Sequence, residues 1–436
     1  MRCEFDRRGR SRCSARCVPD PKPIILFTAF EPSGDDLAAA VIRALRVRRP
    51  DIEIFAWGGP QMAAAGATIV EPTGADAIVG LPGVGKIVEH VRMNGRVARW
   101  MDEHDVALHV PVDSPAANFP ICKQAKKHGI CVMHLAAPQL WAWAPWRIHK
   151  LRRLTDHVLC LLPFEEQWFR DRGVEATFIG HPLFDNGHIK TDGGTGTGGG
   201  MKTDGGTGVS PVNGAATTGE TPVRPKIDES TSTRKLAIMP GSRPKELSRH
   251  MPLVIGVLES LRKTNPDLAV RYAVQDDTAA SIVRTLAAGC GAPLSDADVL
   301  VGPDAVAEAA RWADVCLTKS GTVTLHIAKE RRPMVVIYRT LTWGYLLIGR
   351  WLLTTPNHAM PNLIAGRKIV DEFVPHVGGP APIADAVRRL LEDSSNRERE
   401  RHDLDEVATK FEGRHAAETA AHIIEANIID STNKVD

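Results

Sequence analysis

The sequence predicts an α/β protein made of two doubly wound domains. Three observations predict it. Apolar runs that stop at Gly, Pro or Asp alternate with stretches of helical character, the alternation collapses into low complexity near mid-chain, and it then resumes. Continuous apolar runs of this kind are strands of a parallel sheet covered by helices on both faces. A chain of 436 residues also exceeds what one ordinary core can organise.

Residues 1–22 read as a basic leader, disordered, with no apolar segment behind it to make a signal peptide. The first domain spans 23–186. Its strands are expected in "PIILFTAF", "IEIFAWGG", "VALHVPVD", "GICVMHLAAP", "HVLCLLPF" and "ATFIGHP". Residues 187–233 form a linker, in which "KTDGGTG" occurs at both Lys190 and Lys202. Such a segment has almost nothing to bury, and no strand feeds it as a phosphate loop requires. The second domain, 234–380, carries "KLAIMPGSR", "DLAVRYAVQ", "ADVLVG", "ADVCLTKSG" and "RPMVVIYR". The tail, 381–436, is helical and charged, and is expected to pack back towards the first domain.

A formal charge of +2 gives no general argument for nucleic acid as a partner. The eight cysteines contain no CxxC pair, which reads as thiols in a reducing compartment. "LTWGYLLIGRWLLTTP", Leu341 to Pro356, is interrupted by Arg350 and falls short of the ~20 residues a span needs. It suits contact with a membrane surface. "LWAWAPWRIHKLRR" sets Trp141, Trp143 and Trp146 before four Lys or Arg residues and His149, which suits a membrane interface, an RNA or plain packing.

Four segments carry candidate chemistry. Pro240-Gly241-Ser242-Arg243 follows a strand and precedes a helix. It is either an ordinary turn or a cradle for a diphosphate, with Arg243 as a planar cationic fork. Ser320-Gly321-Thr322 repeats the strand–turn–helix plan, and adjacent turns of this kind form one pocket in an open parallel sheet. "PNLIAGRKIVDEF" adds Asn362 as a hydrogen-bonding side chain. In the first domain, Asp113 follows a strand and precedes Ser114-Pro115, a position for a general base or for a turn-forming cap. The acidic turn Glu31-Pro32-Ser33-Gly34-Asp35-Asp36 has one glycine and three carboxylates, unlike a phosphate cradle. Asp35-Asp36 and Asp276-Asp277 lack a third ligand in view and read as caps, so no metal site is expected.

In this order the segments resemble the lipid-A-disaccharide synthase family of GT-B glycosyltransferases. The resemblance rests on "EPSGD" at Glu31, "GGPQM" at Gly58, "LWAW" at Leu140, "LPFE" at Leu162 and "GHPL" at Gly180. The second domain contributes "PGSR" at Pro240, "SGT" at Ser320, "PMVVIYR" at Pro333 and "PNLIAGR" at Pro361. It implies two Rossmann-like domains facing a central cleft. It also implies transfer of a UDP-linked 2,3-diacylglucosamine to 2,3-diacylglucosamine 1-phosphate, with inversion and without metal or cofactor. Asp113 then matches the family's base and Arg243 the arginine near the leaving diphosphate. Gly241, Ser242, Ser320, Gly321, Thr322, His326 and Asn362 fall in the donor site. Glu31, Ser33, Gly34 and Asp35 face the cleft and meet sugar and acceptor hydroxyls. The resemblance further implies a cytoplasmic enzyme peripheral to the inner membrane, with a homodimer as one arrangement. Two positions depart from the family pattern: Phe30 stands where Gly is usual, beside the expected cleft, and His326 where Glu is usual.

Overall fold

The computed structural model describes residues 22–73, 84–142, 144–185, 233–339, 355 and 357–432. The leader, Trp143, nearly all of the linker and most of Leu341 to Pro356 lie outside the described residues. Packing divides the chain into unit 1 (Met1–Asp185, Thr340–Ile369 and Asp405–Asp436) and unit 2 (Asn186–Arg339 and Val370–Leu404).

Unit 1 carries a seven-stranded parallel sheet. Its strands are β1 (Ile24–Thr28), β2 (Glu53–Gly58), β3 (Thr68–Pro72), β4 (Val106–Pro111), β5 (Cys131–Leu135), β6 (His157–Cys160) and β7 (Ala176–Phe178), in the order β3-β2-β1-β4-β5-β6-β7. Ile25, Leu26 and Phe27 of β1 are fully buried, as a strand covered on both faces must be. One face is packed by α1 (Pro32–Arg48), with Ala38, Val41, Ile42 and Leu45 inward at helical spacing. The other face takes Phe119 and Cys122 of α4 (Pro115–Lys127) and Leu151 of α5 (Ile148–Leu154). Shorter helices α2 (Pro60–Ala64) and α6 (Pro163–Arg170) and the long α3 (Val84–Glu103) fill the remaining connections.

The end of the chain belongs to this unit too. Ala416, Ala420, Ala421, Ile424 and Ile428 of α14 (Ala416–Thr432) join the α1 core, small residues allowing close approach. Arg48 pairs with Glu425 at 2.7 Å across the same contact. Phe411 stacks on Phe184 with ring centroids 4.3 Å apart.

Unit 2 carries a six-stranded parallel sheet. Its strands are β8 (Lys235–Met239), β9 (Ala269–Val274), β10 (Val299–Val301), β11 (Val315–Lys319), β12 (Met334–Arg339) and β13 (Asp371–His376), in the order β10-β9-β8-β11-β12-β13. The helices are α7 (Pro244–Arg262), α8 (Asp277–Gly289), α9 (Ala305–Trp312), α10 (Val323–Lys329), α12 (Ala381–Glu392) and the first part of α13 (Ser394–Thr409), whose residues from Asp405 belong to unit 1; α11 (Met360–Ala365) lies in unit 1. Ile383, Ala384, Val387, Leu390 and Leu391 of α12 close the core against α7. Asp276 caps α8 by accepting the Ala279 N–H at 2.8 Å, the role its sequence context suggested. Among the described residues no helix is long and apolar enough to cross a membrane.

The strands read from the apolar runs are all present. Two more, β3 and β13, were not read, and both are edge strands. An edge strand needs no continuous apolar run, because its outer side is open: β3 alternates between exposed and half-buried residues. β13 even contains Pro375, which an edge tolerates.

One buried carboxylate joins two elements of unit 1. Asp35 in α1 accepts N–H bonds from Gly59 (3.0 Å), Gln61 (3.0 Å) and Met62 (3.1 Å), and so caps α2 from a distance. A Cβ on Gly59 would stand 2.4 Å from Asp35 Oδ2, so only glycine permits the approach. The resemblance implied that Asp35 meets substrate hydroxyls; in the structure three of its acceptor positions are taken by backbone N–H groups. Asp35→Ala should lower the stability of unit 1 by about 2–4 kcal/mol, because three N–H groups lose a charged acceptor. Urea denaturation followed by tryptophan fluorescence measures it, and an unchanged midpoint would show that the capping bonds contribute nothing.

Candidate active site

In each sheet the order of strands reverses direction beside the first strand, between β1 and β4 and between β8 and β11. Ligands of open α/β sheets bind outside the carboxyl ends of strands at such points, where loops diverge and leave a crevice. Glu31 and Asp113 of unit 1, and Gly241, Ser242, Arg243, Ser320 and Gly321 of unit 2, lie in the turns that follow these strands.

In unit 1 the chain leaves β4 through Asp113 and Ser114, whose φ values of 45° and 36° are left-handed. Neither is glycine, so each costs on the order of 1 kcal/mol and needs support. The support is a buried polar chain. Asn118 Nδ2 donates to the carbonyls of Val112 (3.0 Å) and Asp113 (2.9 Å), while its Oδ1 accepts the Thr28 hydroxyl at 2.7 Å. Thr28 Oγ1 lies 2.9 Å from His109 Nε2, and the Asp113 N–H donates to Leu135 O at 2.9 Å. Burial pushes His109 down to about 3 and His134 to about 4, so both rings beneath the turn are neutral.

The Ser114 hydroxyl donates to Glu31 Oε1 at 2.8 Å and ties the two turns together. Burial raises the Asp113 carboxyl above its ordinary range; the Glu31 charge raises it further, against a bond from the Ser114 N–H. Glu31 is half-buried, Ser33 exposed, and Gly34 packs against Ala29 and Val112. Phe30 was expected beside the cleft. Its ring is half-buried and packs against the core that includes Leu26, Trp57 and Phe119.

Two family motifs meet in one buried bond that the sequence did not foretell. Trp141 of "LWAW" donates Nε1–H to Glu165 Oε1 of "LPFE" at 2.9 Å, and Glu165 Oε2 accepts the Leu162 N–H at 3.0 Å. Trp141 is therefore packing, while Trp146 is exposed.

In unit 2, Ser242 and Arg243 are exposed at the start of α7. Gly241 has φ 124° and must be glycine for that reason. The adjacent turn follows Lys319, whose Nζ lies 3.0 Å from Glu246 Oε1; Arg243 Nη1 lies 3.7 Å from the same oxygen. Lys319, Glu246 and His250 were not singled out from the sequence. His250 is buried, with Nδ1 2.9 Å from Pro240 O and Nε2 accepting the Arg339 N–H at 3.3 Å, so it ties the β8 turn to the end of β12. His326 is half-buried on α10; burial, then the Lys329 charge, holds it below the ordinary histidine range. Ser320 and Gly321 are half-buried and Thr322 exposed in the turn before α10.

Asn362, expected in the donor site, lies on α11 in unit 1. It is fully buried, and its Oδ1 accepts the Ile369 N–H at 2.7 Å, a bond that holds the segment after α11. A cavity of about 440 Å³ lined by Arg262, Leu268, Tyr272, Leu294 and Trp312 lies along β9. It includes none of the candidate residues.

Two doubly wound parallel sheets of this order define a GT-B protein, the architecture of nucleotide-sugar transferases and epimerases. The glycotransferase of kitacinnamycin superposes with a TM-score of 0.55 at 16% identity, covering 93% of this chain and 100% of that one. The UDP-GlcNAc 2-epimerase of Methanocaldococcus jannaschii superposes with a TM-score of 0.52 at 11% identity, covering 93% and 100%. Both likenesses concern the fold alone. The sequence is more specific. Lipid-A-disaccharide synthase of Anaeromyxobacter dehalogenans is 32% identical over 88% of this chain and 92% of its own length. The chain belongs to the lipid-A-disaccharide synthetase family, whose model matches residues 25–196 and 219–426. It is accordingly a glycosyltransferase of lipid A biosynthesis.

The Glu165 environment generates a pH dependence. Burial pushes its carboxyl up to about 7, against bonds from Trp141 and Leu162 that lower it. The unfolded chain releases this proton near the ordinary glutamate value of 4.5, so stability falls as pH rises from there towards 7. Relative to wild type, Glu165→Gln should therefore gain about 2 kcal/mol between pH 5 and pH 7.5. Urea midpoints of both proteins at the two pH values measure it; parallel profiles would mean that Glu165 is ionised throughout.

Proposed function

We propose that the chain joins a UDP-linked 2,3-diacylglucosamine to 2,3-diacylglucosamine 1-phosphate, releasing UDP and forming a β-1,6 linkage with inversion. The observation that carries this reading is the Asp113 turn, a half-buried carboxylate on a strained loop braced by Asn118 and Glu31. A raised carboxyl pKa brings a base closer to the operating pH, where general-base catalysis is most effective. Asp113 takes the proton of the acceptor hydroxyl, whose oxygen forms the new bond to the donor's anomeric carbon. The bond from that carbon to the diphosphate breaks, and the electron pair leaves with UDP. Arg243 offers two parallel N–H donors to the departing charge. Both substrates carry acyl chains, so the enzyme works in peripheral contact with the inner membrane surface, as a monomer or a homodimer.

The assay is incubation of purified protein with the UDP-diacylglucosamine and the monosaccharide 1-phosphate, with products weighed by mass spectrometry. Absence of a disaccharide product would reject the reading. Asp113→Asn should lower turnover by about 10²–10⁴ with little change in UDP binding. A variant at near wild-type rate would remove Asp113 from the chemistry, and a collapse of stability would assign it to the turn alone.

His326 bears on the donor. A neutral imidazole can accept one hydrogen bond where a carboxylate accepts several, and a protonated ring accepts none. His326→Glu should tighten UDP binding by about 1 kcal/mol, near the net value of one hydrogen bond. Because burial lowers its pKa, the wild-type ring is neutral at pH 7.5 and charges only below the ordinary histidine range. The wild type should then lose more affinity than the variant as pH falls towards 5. Calorimetric titration with UDP at both pH values measures this; equal binding throughout would place His326 away from the nucleotide.

A further inference from the structure

Lys319 is the last residue of β11 and stands between two glycine turns of unit 2. A Cβ on Gly241 would lie 3.8 Å from its Cδ, and a Cβ on Gly321 would lie 3.7 Å from its Nζ. Its side chain is only 19% exposed, so the ammonium is held in place and not waving in solvent. The partner that holds it is Glu246, 14% exposed, at 3.0 Å. The other oxygen, Oε2, lies 3.1 Å from the position of a Gly241 Cβ, and it is buried with no hydrogen-bond partner. A carboxylate oxygen in that condition is poorly compensated for lost solvation. The carboxylate thus lies over the β8 turn with one oxygen on a cation and the other on nothing. Arg243, 51% exposed, reaches the same group at 3.7 Å. Two cations facing one carboxylate leave the cluster with one excess positive charge, suited to a polyanion with more oxygens than a carboxylate has.

We propose that Lys319 contacts the diphosphate of the donor and sets the site's preference for a nucleoside diphosphate over the bare nucleoside, with Glu246 as its resident counter-ion. On binding, the diphosphate draws the ammonium from Glu246, so that carboxylate competes with the ligand. Arg243 supplies a planar, solvent-facing fork and Lys319 a buried point charge; the two are not interchangeable. The inference rests on the UDP-sugar reading given above.

The test is calorimetric titration of the full chain with UDP and, separately, with uridine. Lys319→Met should weaken UDP binding by about 10-fold or more, the usual scale for losing a charge-assisted bond, and leave uridine binding unchanged. Glu246→Gln should tighten UDP binding several-fold, since the competitor's charge is gone, and Lys319→Arg should recover only part of the wild-type affinity, because a planar fork replaces a buried point charge. Equal UDP affinity in wild type and Lys319→Met would overturn the inference while leaving the UDP-sugar reading standing. Failure of the wild type to bind UDP would reject that reading itself. If Lys319→Met does not fold, as circular dichroism would reveal, Glu246→Gln decides: weaker or unchanged UDP binding overturns the competition between carboxylate and ligand.

Discussion

A parallel strand covered on both faces has nowhere to put a polar side chain except at its ends. Its N–H and C=O groups are satisfied by the neighbouring strands, and its side chains face helices on either side. Leu26 and Phe27 of β1, Val110 of β4 and Leu236 and Ile238 of β8 obey this without exception. Four candidate groups therefore lie one to four residues beyond a strand's carboxyl end: Glu31 after β1, Asp113 after β4, Arg243 after β8, Ser320 after β11. Three of the polar residues buried deeper, Thr28, His109 and Asn118, share one hydrogen-bonded chain. That chain braces the Asp113 turn, so the interior's demand for satisfied polar groups becomes the rigidity of the site above it.

The same demand separates residues that look alike in sequence. Glu31 and Asp35 sit four positions apart in one acidic turn, yet Asp35 is fully engaged by three backbone N–H groups and Glu31 receives a single hydroxyl. Glu165 and Asn362 likewise hold neighbouring segments. A short motif can thus contain both a group that builds the fold and a group that remains available to a ligand. The number of backbone donors each side chain faces tells them apart.

The two units meet different charges. The turn region of unit 1 is acidic, and the Glu31 charge adds to the cost of ionising Asp113. In unit 2, Arg243 and Lys319 outnumber Glu246. A proton acceptor belongs in the first environment and a diphosphate in the second, because each field favours the charge it is asked to stabilise. The fold alone makes no such distinction, being common to transferases and epimerases.

Legibility followed burial. Continuous apolar runs such as "PIILFTAF" and "KLAIMPGSR" announced the central strands, because two buried faces require an uninterrupted hydrophobic pattern. Of the four edge strands, β7 and β10 still carried short apolar runs, whereas β3 and β13 were silent, an open side imposing no such requirement. The family motifs located the turns and named Asp113 and Arg243 through a resemblance that spans both domains. What they could not contain was partnership across long sequence separations. Asp35 reaching Gly59, Trp141 reaching Glu165, Thr28 reaching Asn118 and Lys319 reaching Glu246 join residues 24, 24, 90 and 73 positions apart. Hydrophobic spacing is a local property, written along each element by the face it must hide. Whether a given carboxylate is a cap, a counter-ion or a base depends on which donors the packed helices and strands bring to it, and only the tertiary structure decides that.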